Sequence, residues 1–119
     1  MASLLSSIEQ YAADLEGIGA EPPPAPRWNQ DWFPRLDAAA AYAMVRSARP
    51  QRIVEIGSGH STRFLARAVA DGRLDTRITA IDPKPRASLA GLDIDWIATP
   101  VQRVAAFPAL GEGDILFID

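Results

Sequence analysis

The stretch RIVEIGSGHST, residues 52–62, decides the fold of this chain. Its first five residues are mostly apolar, which predicts a buried strand, because a strand covered on both faces needs no polar alternation. Gly57 and Gly59 follow, and glycine permits the positive φ values of a tight strand-to-helix turn. Ser61 or Thr62 is a suitable cap for the next helix. The stretch is therefore predicted to be one strand–turn–helix unit.

The same alternation of strand and helix continues on both sides of this unit. Strands are predicted at residues 77–82, 94–98 and 114–119, and helices at residues 36–48, 62–70 and 85–92. Apolar strands separated by helices predict an α/β fold with a parallel sheet covered by helices on both faces. Right-handed crossovers then make it a doubly wound, Rossmann-like sheet.

Residues 1–33 form a lead-in to the sheet, which occupies residues 34–119. Apolar residues at helical spacing between positions 4 and 15 predict an amphipathic helix that ends at Gly17. Residues 22–26, PPPAP, are predicted to be an extended spacer, because proline fixes φ and disfavours helix in the residue before it. The alternative is a motif that is bound by a domain recognising proline-rich segments. Residues 28–33, WNQDWF, are interpreted as a packing anchor, with a flap over a ligand as the alternative.

The composition excludes several classes of function. The chain of 119 residues contains no cysteine, which excludes a disulfide framework, a thiolate nucleophile and cysteine-ligated zinc. Its net charge is −3 and its basic residues are scattered, so nucleic acid is not predicted as a partner. No signal peptide and no membrane-spanning run is found, which predicts a cytoplasmic protein without a membrane partner. His60 is the only histidine, so no metal site is predicted.

Three predicted strands carry a carboxylate near their carboxyl ends: Glu55, Asp82 and Asp119. Ligands of open parallel sheets bind at this edge, where the strand order reverses. A strand-end carboxylate such as Asp82 accepts hydrogen bonds from both hydroxyls of a ribose. Together with the glycine turn, it predicts a cofactor that contains adenosine.

Two features distinguish between adenosine cofactors. A dinucleotide turn carries a third glycine at the position of Thr62, where it allows close packing of helix on strand. Glu55 also places negative charge before the turn, which disfavours a pyrophosphate and suits the cationic S-adenosylmethionine. The residues therefore favour S-adenosylmethionine, and an NAD(P)-dependent oxidoreductase is the alternative.

The motif EIGSGHST resembles the first motif of class I S-adenosylmethionine-dependent methyltransferases, in particular a bacterial subgroup with the pattern EIGSGxST. Residues 80–83, AIDP, resemble the second motif, and residues 113–119, GDILFID, resemble the fourth strand. The resemblance implies a sheet of order 3-2-1-4-5-7-6 and methyl transfer to an acceptor, with Asp119 as the catalytic residue. It implies a cofactor site made of Glu55, Gly57, Ser58, Gly59, His60, Ser61, Asp82, Pro83 and Gln102.

Members of that family continue beyond the position of Asp119. We therefore expect the chain to be a family member truncated after the fourth strand, inactive by itself, with an apolar fourth-strand edge that favours self-association. A non-catalytic module of methyltransferase-like fold is a further alternative. The residues that would select the methyl acceptor are not in this sequence, so the acceptor is left open.

Overall fold

The computed structural model describes residues 4–19, 22, 24–26, 28, 35–85, 87–104 and 108–118. These described residues contain four α-helices and four strands, with a short 3₁₀ turn at Val101–Arg103. The helices are α1 (Leu4–Gln10), α2 (Ala12–Glu16), α3 (Arg35–Ala48) and α4 (His60–Asp71). The strands are β1 (Arg52–Ile56), β2 (Arg77–Ile81), β3 (Asp95–Ile97) and β4 (Ile115–Ile118).

The four strands form one parallel sheet in the order β3-β2-β1-β4. Ile56 pairs with both Ile81 and Ile118, so the carboxyl ends of β1, β2 and β4 lie level. The chain runs outward from β1 to β3 and returns to the other side of β1, so the order reverses between β1 and β4. The predicted α/β parallel sheet is therefore confirmed, and its reversal point lies beside the glycine turn.

One face of the sheet packs against the helices. Ile53, Ile78 and Phe117 project from this face, because side chains alternate along a strand. The helical side of this core consists mainly of Ala38, Ala41, Tyr42, Val45, Phe64, Leu65 and Ala68. Leu15 and Ile18 belong to the same cluster, so the N-terminal helices share the core of the sheet.

The opposite face carries no α-helix in the described part of the chain, so the prediction of helices on both faces is not met there. Val54 and Ile81 are buried on this face, whereas Leu116 and Ile118 at the edge are 47% and 69% exposed. Self-association through the β4 edge stays a prediction.

The segment after β2 corrects one prediction of local structure. Described residues between 85 and 92 form no helix. The guanidinium of Arg63 donates two hydrogen bonds to the carbonyl of Ser88, at 3.2 and 3.0 Å. A tertiary partner for this carbonyl, together with the positive φ of Gly91, outweighs the local preference for helix.

Three further expectations need correction. The predicted N-terminal helix is divided into two, α1 and α2, at Tyr11. The prolines are not simply extended, because the amide of Ala25 donates to the carbonyl of Pro22 at 3.1 Å and closes a turn. Trp96 lies on the strand predicted at residues 94–98, which a sheet covered on both faces would bury, but it is half-exposed because β3 lies at the sheet edge. Trp28 does serve as a packing anchor, with its ring 4.8 Å from that of Phe64; the rest of that aromatic segment lies outside the described residues.

A polar cluster fastens the helices to one another. The buried Tyr42 of α3 donates its hydroxyl to Asp71 of α4 at 2.5 Å and accepts from Arg46 at 2.7 Å. Arg46 also forms an ion pair with Asp14 of α2 at 2.7 Å. Burial and the Asp71 carboxylate raise the pKa of the Tyr42 phenol above its ordinary value. The phenol therefore remains a donor, and the cluster joins the carboxyl end of α4 to α3 and α2.

Among the described residues, no helix combines the length and the apolar character needed to cross a membrane.

Candidate functional site

The glycine turn joins β1 to α4 at the carboxyl edge of the sheet. Gly57 has φ of 90° and Gly59 has φ of 132°, values that a side chain would strain. The Gly57 amide donates to the carbonyl of Ile81 at 3.0 Å, which extends the β1–β2 ladder beyond the strand end. Gly59 is then the N-cap of α4. The turn therefore presents the amino end of a helix of 12 residues at the edge where a ligand would lie.

Glu55 lies beneath this turn and is completely buried. It projects from the helix-covered face, in register with Ala80 and Phe117. One carboxylate oxygen accepts a hydrogen bond from the Ser61 hydroxyl and the other accepts one from Thr62. A buried charge is tolerated only when it is hydrogen-bonded in this way. Glu55 thus fastens the end of β1 to the first turn of α4.

Asp82 lies at the end of the adjacent strand and is only half-buried. Its Oδ2 accepts a hydrogen bond from the Ser58 hydroxyl at 3.0 Å, and its Oδ1 accepts one from the Lys84 amide at 2.8 Å. The indole of Trp96 donates to the carbonyl of Asp82 at 2.8 Å. These contacts fix the orientation of a carboxylate that solvent still reaches.

The structure brings together most of the predicted cofactor residues. Gly57, Ser58 and Gly59 form the turn, and the Ser58 hydroxyl joins it directly to Asp82. His60 and Ser61 are the first two residues of α4, and both are buried. Whether they contact a cofactor stays a prediction.

Two further predicted residues lie near the same edge of the sheet but make none of these hydrogen bonds, and a third falls outside the described residues. Pro83 follows Asp82 and is exposed. Gln102 is exposed in the 3₁₀ turn that comes after β3, on the side of the sheet's carboxyl edge. Asp119, predicted as catalytic, lies outside the described residues.

Sequence reasoning missed two partners of the strand-end carboxylates. The sequence offers Ser61 or Thr62 as the cap and identifies Thr62 as the residue in place of a third glycine. In the structure Gly59 is the N-cap instead, and the Thr62 hydroxyl donates to Glu55 and accepts the Gly59 amide at 3.0 Å. Its position three residues after the N-cap was a usable signal, since that position reaches back to the N-cap amide. No sequence signal indicates the contact with the Lys84 amide, because every residue except proline has a backbone amide.

The site is suited to hydrogen bonding more than to metal binding. The described residues contain no group of three or more His, Asp or Glu side chains that would hold a metal ion. The carboxylate oxygens of Asp82 each retain acceptor capacity, since each oxygen carries two lone-pair positions and accepts one hydrogen bond at 3.0 Å or less. The arrangement is an acceptor for a diol beside a helix amino end that favours an anion.

No protein-family model matches this chain, and neither a curated protein nor a solved structure matches it.

Proposed function

We propose that this chain is the cofactor-binding part of an S-adenosylmethionine-dependent methyltransferase of class I fold. One observation carries the proposal: the Ser58 hydroxyl joins the glycine turn to Asp82 at 3.0 Å, across the carboxyl ends of adjacent strands. Open parallel sheets bind ligands at this edge. The order β3-β2-β1-β4 is also the one that the family resemblance implies for its first four strands.

The ribose is assigned to Asp82. The two hydroxyls of a ribose need two acceptors at a fixed separation, and the two oxygens of one carboxylate supply them. Ser58 and Lys84 already hold one lone pair on each oxygen, which leaves a second on each for the ribose. The half-buried position of Asp82 is consistent with this role, because a ligand reaches it from solvent.

The methionine part is assigned to the glycine turn. Its carboxylate is an anion, and the amino end of α4 favours an anion through the amides of its first turn. Gly57 and Gly59 have no side chain to block close approach to the backbone. By the family resemblance, Gln102 would lie beside the adenine.

The chemistry is methyl transfer by in-line displacement. When bound, S-adenosylmethionine supplies an electrophilic methyl group on a sulfonium. The methyl group would pass from this sulfonium to an acceptor nucleophile and leave the sulfur as a neutral thioether, while Asp82 and the glycine turn would hold the ribose and the amino-acid part in place. The described residues bind and orient the cofactor, which is where most of the rate enhancement of such a reaction originates.

The test is calorimetric titration of S-adenosylhomocysteine into the purified chain. We expect binding that Asp82→Ala weakens at least about thirtyfold, because two hydrogen bonds to a charged acceptor are lost. Asp93→Ala, which removes an exposed carboxylate away from the turn, is the matched control and is expected to bind like the wild type.

Two results would contradict the proposal. Tighter binding of NAD⁺ than of S-adenosylhomocysteine would assign the site to an oxidoreductase, in which the pyrophosphate lies on the turn. Binding of neither ligand by a folded chain would favour the non-catalytic module.

A further inference from the structure

One hydroxyl connects the strand end, the glycine turn and the helix. The Oγ1 atom of Thr62 accepts a hydrogen bond from the amide of Gly59 at 3.0 Å and donates one to Glu55. Thr62 and Glu55 are both completely buried. Ser61 donates to the other oxygen of the same carboxylate. The position of Gly59 is therefore coupled through Thr62 to a carboxyl group anchored in β1.

This connection acts on the least restrained part of the site. A turn with two glycines has many accessible conformations, and holding one of them requires specific partners. The positive φ of Gly59 is compatible with the hydrogen bond from its amide to Thr62. In dinucleotide-binding turns the position of Thr62 is a glycine that contributes only close packing. Here it carries a hydroxyl with a donor and an acceptor role.

We propose that Thr62 is a positioning residue for the cofactor, which acts through Glu55 and Gly59 without touching the ligand. The inference rests on the proposed function, since it concerns how the turn is held for the methionine part. It also gives Glu55 a role other than cofactor contact, because a fully buried carboxylate that accepts from two hydroxyls of α4 acts on the turn.

Two ligands that differ in the amino-acid part distinguish this positioning role from a general structural role. The turn holds the amino-acid part, and Asp82 holds the ribose. S-adenosylhomocysteine contains both parts, whereas 5′-methylthioadenosine lacks the amino-acid part. Replacing a residue that positions the turn should therefore lower the affinity for S-adenosylhomocysteine and leave the affinity for 5′-methylthioadenosine nearly unchanged.

The experiment compares Thr62→Val, which keeps the shape and removes the hydroxyl, with Thr62→Ser, which keeps the hydroxyl. We expect Thr62→Val to raise the Kd of S-adenosylhomocysteine about tenfold and that of 5′-methylthioadenosine less than about twofold. Thr62→Ser is expected to bind both ligands within about threefold of the wild type. Thr79→Val, the same change on β2, is the matched control and is expected to leave both affinities unchanged.

Equal weakening of both ligands by Thr62→Val, or no weakening of either, would overturn the inference while leaving the proposed function intact. A wild-type chain that binds neither ligand would overturn both. If Thr62→Val does not fold, amide hydrogen exchange in the wild type decides. Slow exchange of the Gly59 amide without ligand supports a turn that is already held, and exchange at the rate of an open loop contradicts it.

Discussion

Two neighbouring strand ends carry carboxylates with opposite surroundings. Glu55, at the end of β1, is completely buried and accepts hydrogen bonds from hydroxyls of α4. Asp82, at the end of β2, is half-buried and is held by Ser58 and by a backbone amide. The same chemical group therefore has a structural role at the end of β1 and is available to a ligand at the end of β2.

The difference arises from the segment that the chain forms after each strand. After β1 the chain turns into α4, and the first turn of this helix covers Glu55. After β2 no helix forms among the described residues, and the chain departs through an exposed turn at Pro83 and Lys84. A helix supplies hydroxyls and excludes water, whereas an open turn leaves a carboxylate in contact with solvent.

The largest expected effect is a loss of stability when Glu55 is replaced. We expect Glu55→Ala to lower the free energy of unfolding by about 2–4 kcal/mol, because it leaves a cavity and two buried hydroxyls without their acceptor. Asp82→Ala is expected to cost less, about 1 kcal/mol, because it leaves one buried hydroxyl, that of Ser58, without this acceptor at a site that solvent reaches. Urea unfolding of the two variants measures both values. Equal losses would show that the two strand ends do not differ as described.

A smaller effect, on ligand affinity, tests how Asp82 is oriented. The buried Ser58 donates the hydrogen bond that orients this carboxylate. We expect Ser58→Ala to raise the Kd of S-adenosylhomocysteine about three- to tenfold, because Asp82 then loses one of the two hydrogen bonds that orient it. Calorimetric titration measures the effect, with Ser47→Ala on the exposed side of α3 as the control. An unchanged Kd would assign the orientation of Asp82 to the Lys84 amide alone.

The smallest effect concerns Asp114, a carboxylate at the opposite end of the sheet. Hydrogen bonds from the amide of Gly111 and from those of Arg52 and Gln51 lower the pKa of Asp114 from its ordinary 3.8. Its contribution to stability is complete above the ordinary pKa and is lost as the pH falls through the lowered value. We expect Asp114→Asn to be slightly less stable than the wild type near neutral pH and equally stable below the lowered pKa.

Urea midpoints measured across the acid range test this prediction. Asp75→Asn, at an exposed position, is the control. A stability difference between the wild type and Asp114→Asn that persists into the most acidic samples would contradict the assigned cause.

Much of the sheet was predictable from local pattern. β1 was predicted with its observed bounds, and β2 and β4 nearly so, because apolar runs bounded by glycine or proline have few other uses in a chain of this size. Gly57, Gly59 and Asp82 were recognised for the same reason: their residue types and their places at strand ends are both visible in sequence. The missing helix at residues 85–92 was not predictable, because the contact of Arg63 with Ser88 joins residues distant in the chain.

By itself, the sequence determined the order of the strands along the chain, the glycine turn and the presence of acidic strand ends, since these depend on neighbouring residues and on simple periodicity. Only the tertiary structure decided which strand-end carboxylate is buried and which is reached by solvent. That outcome depends on whether a helix packs over the carboxylate after the chain turns, and on hydroxyls that reach it from the next element. Burial is a property of the assembled layers, so two carboxylates that look alike in the sequence differ in what they can do.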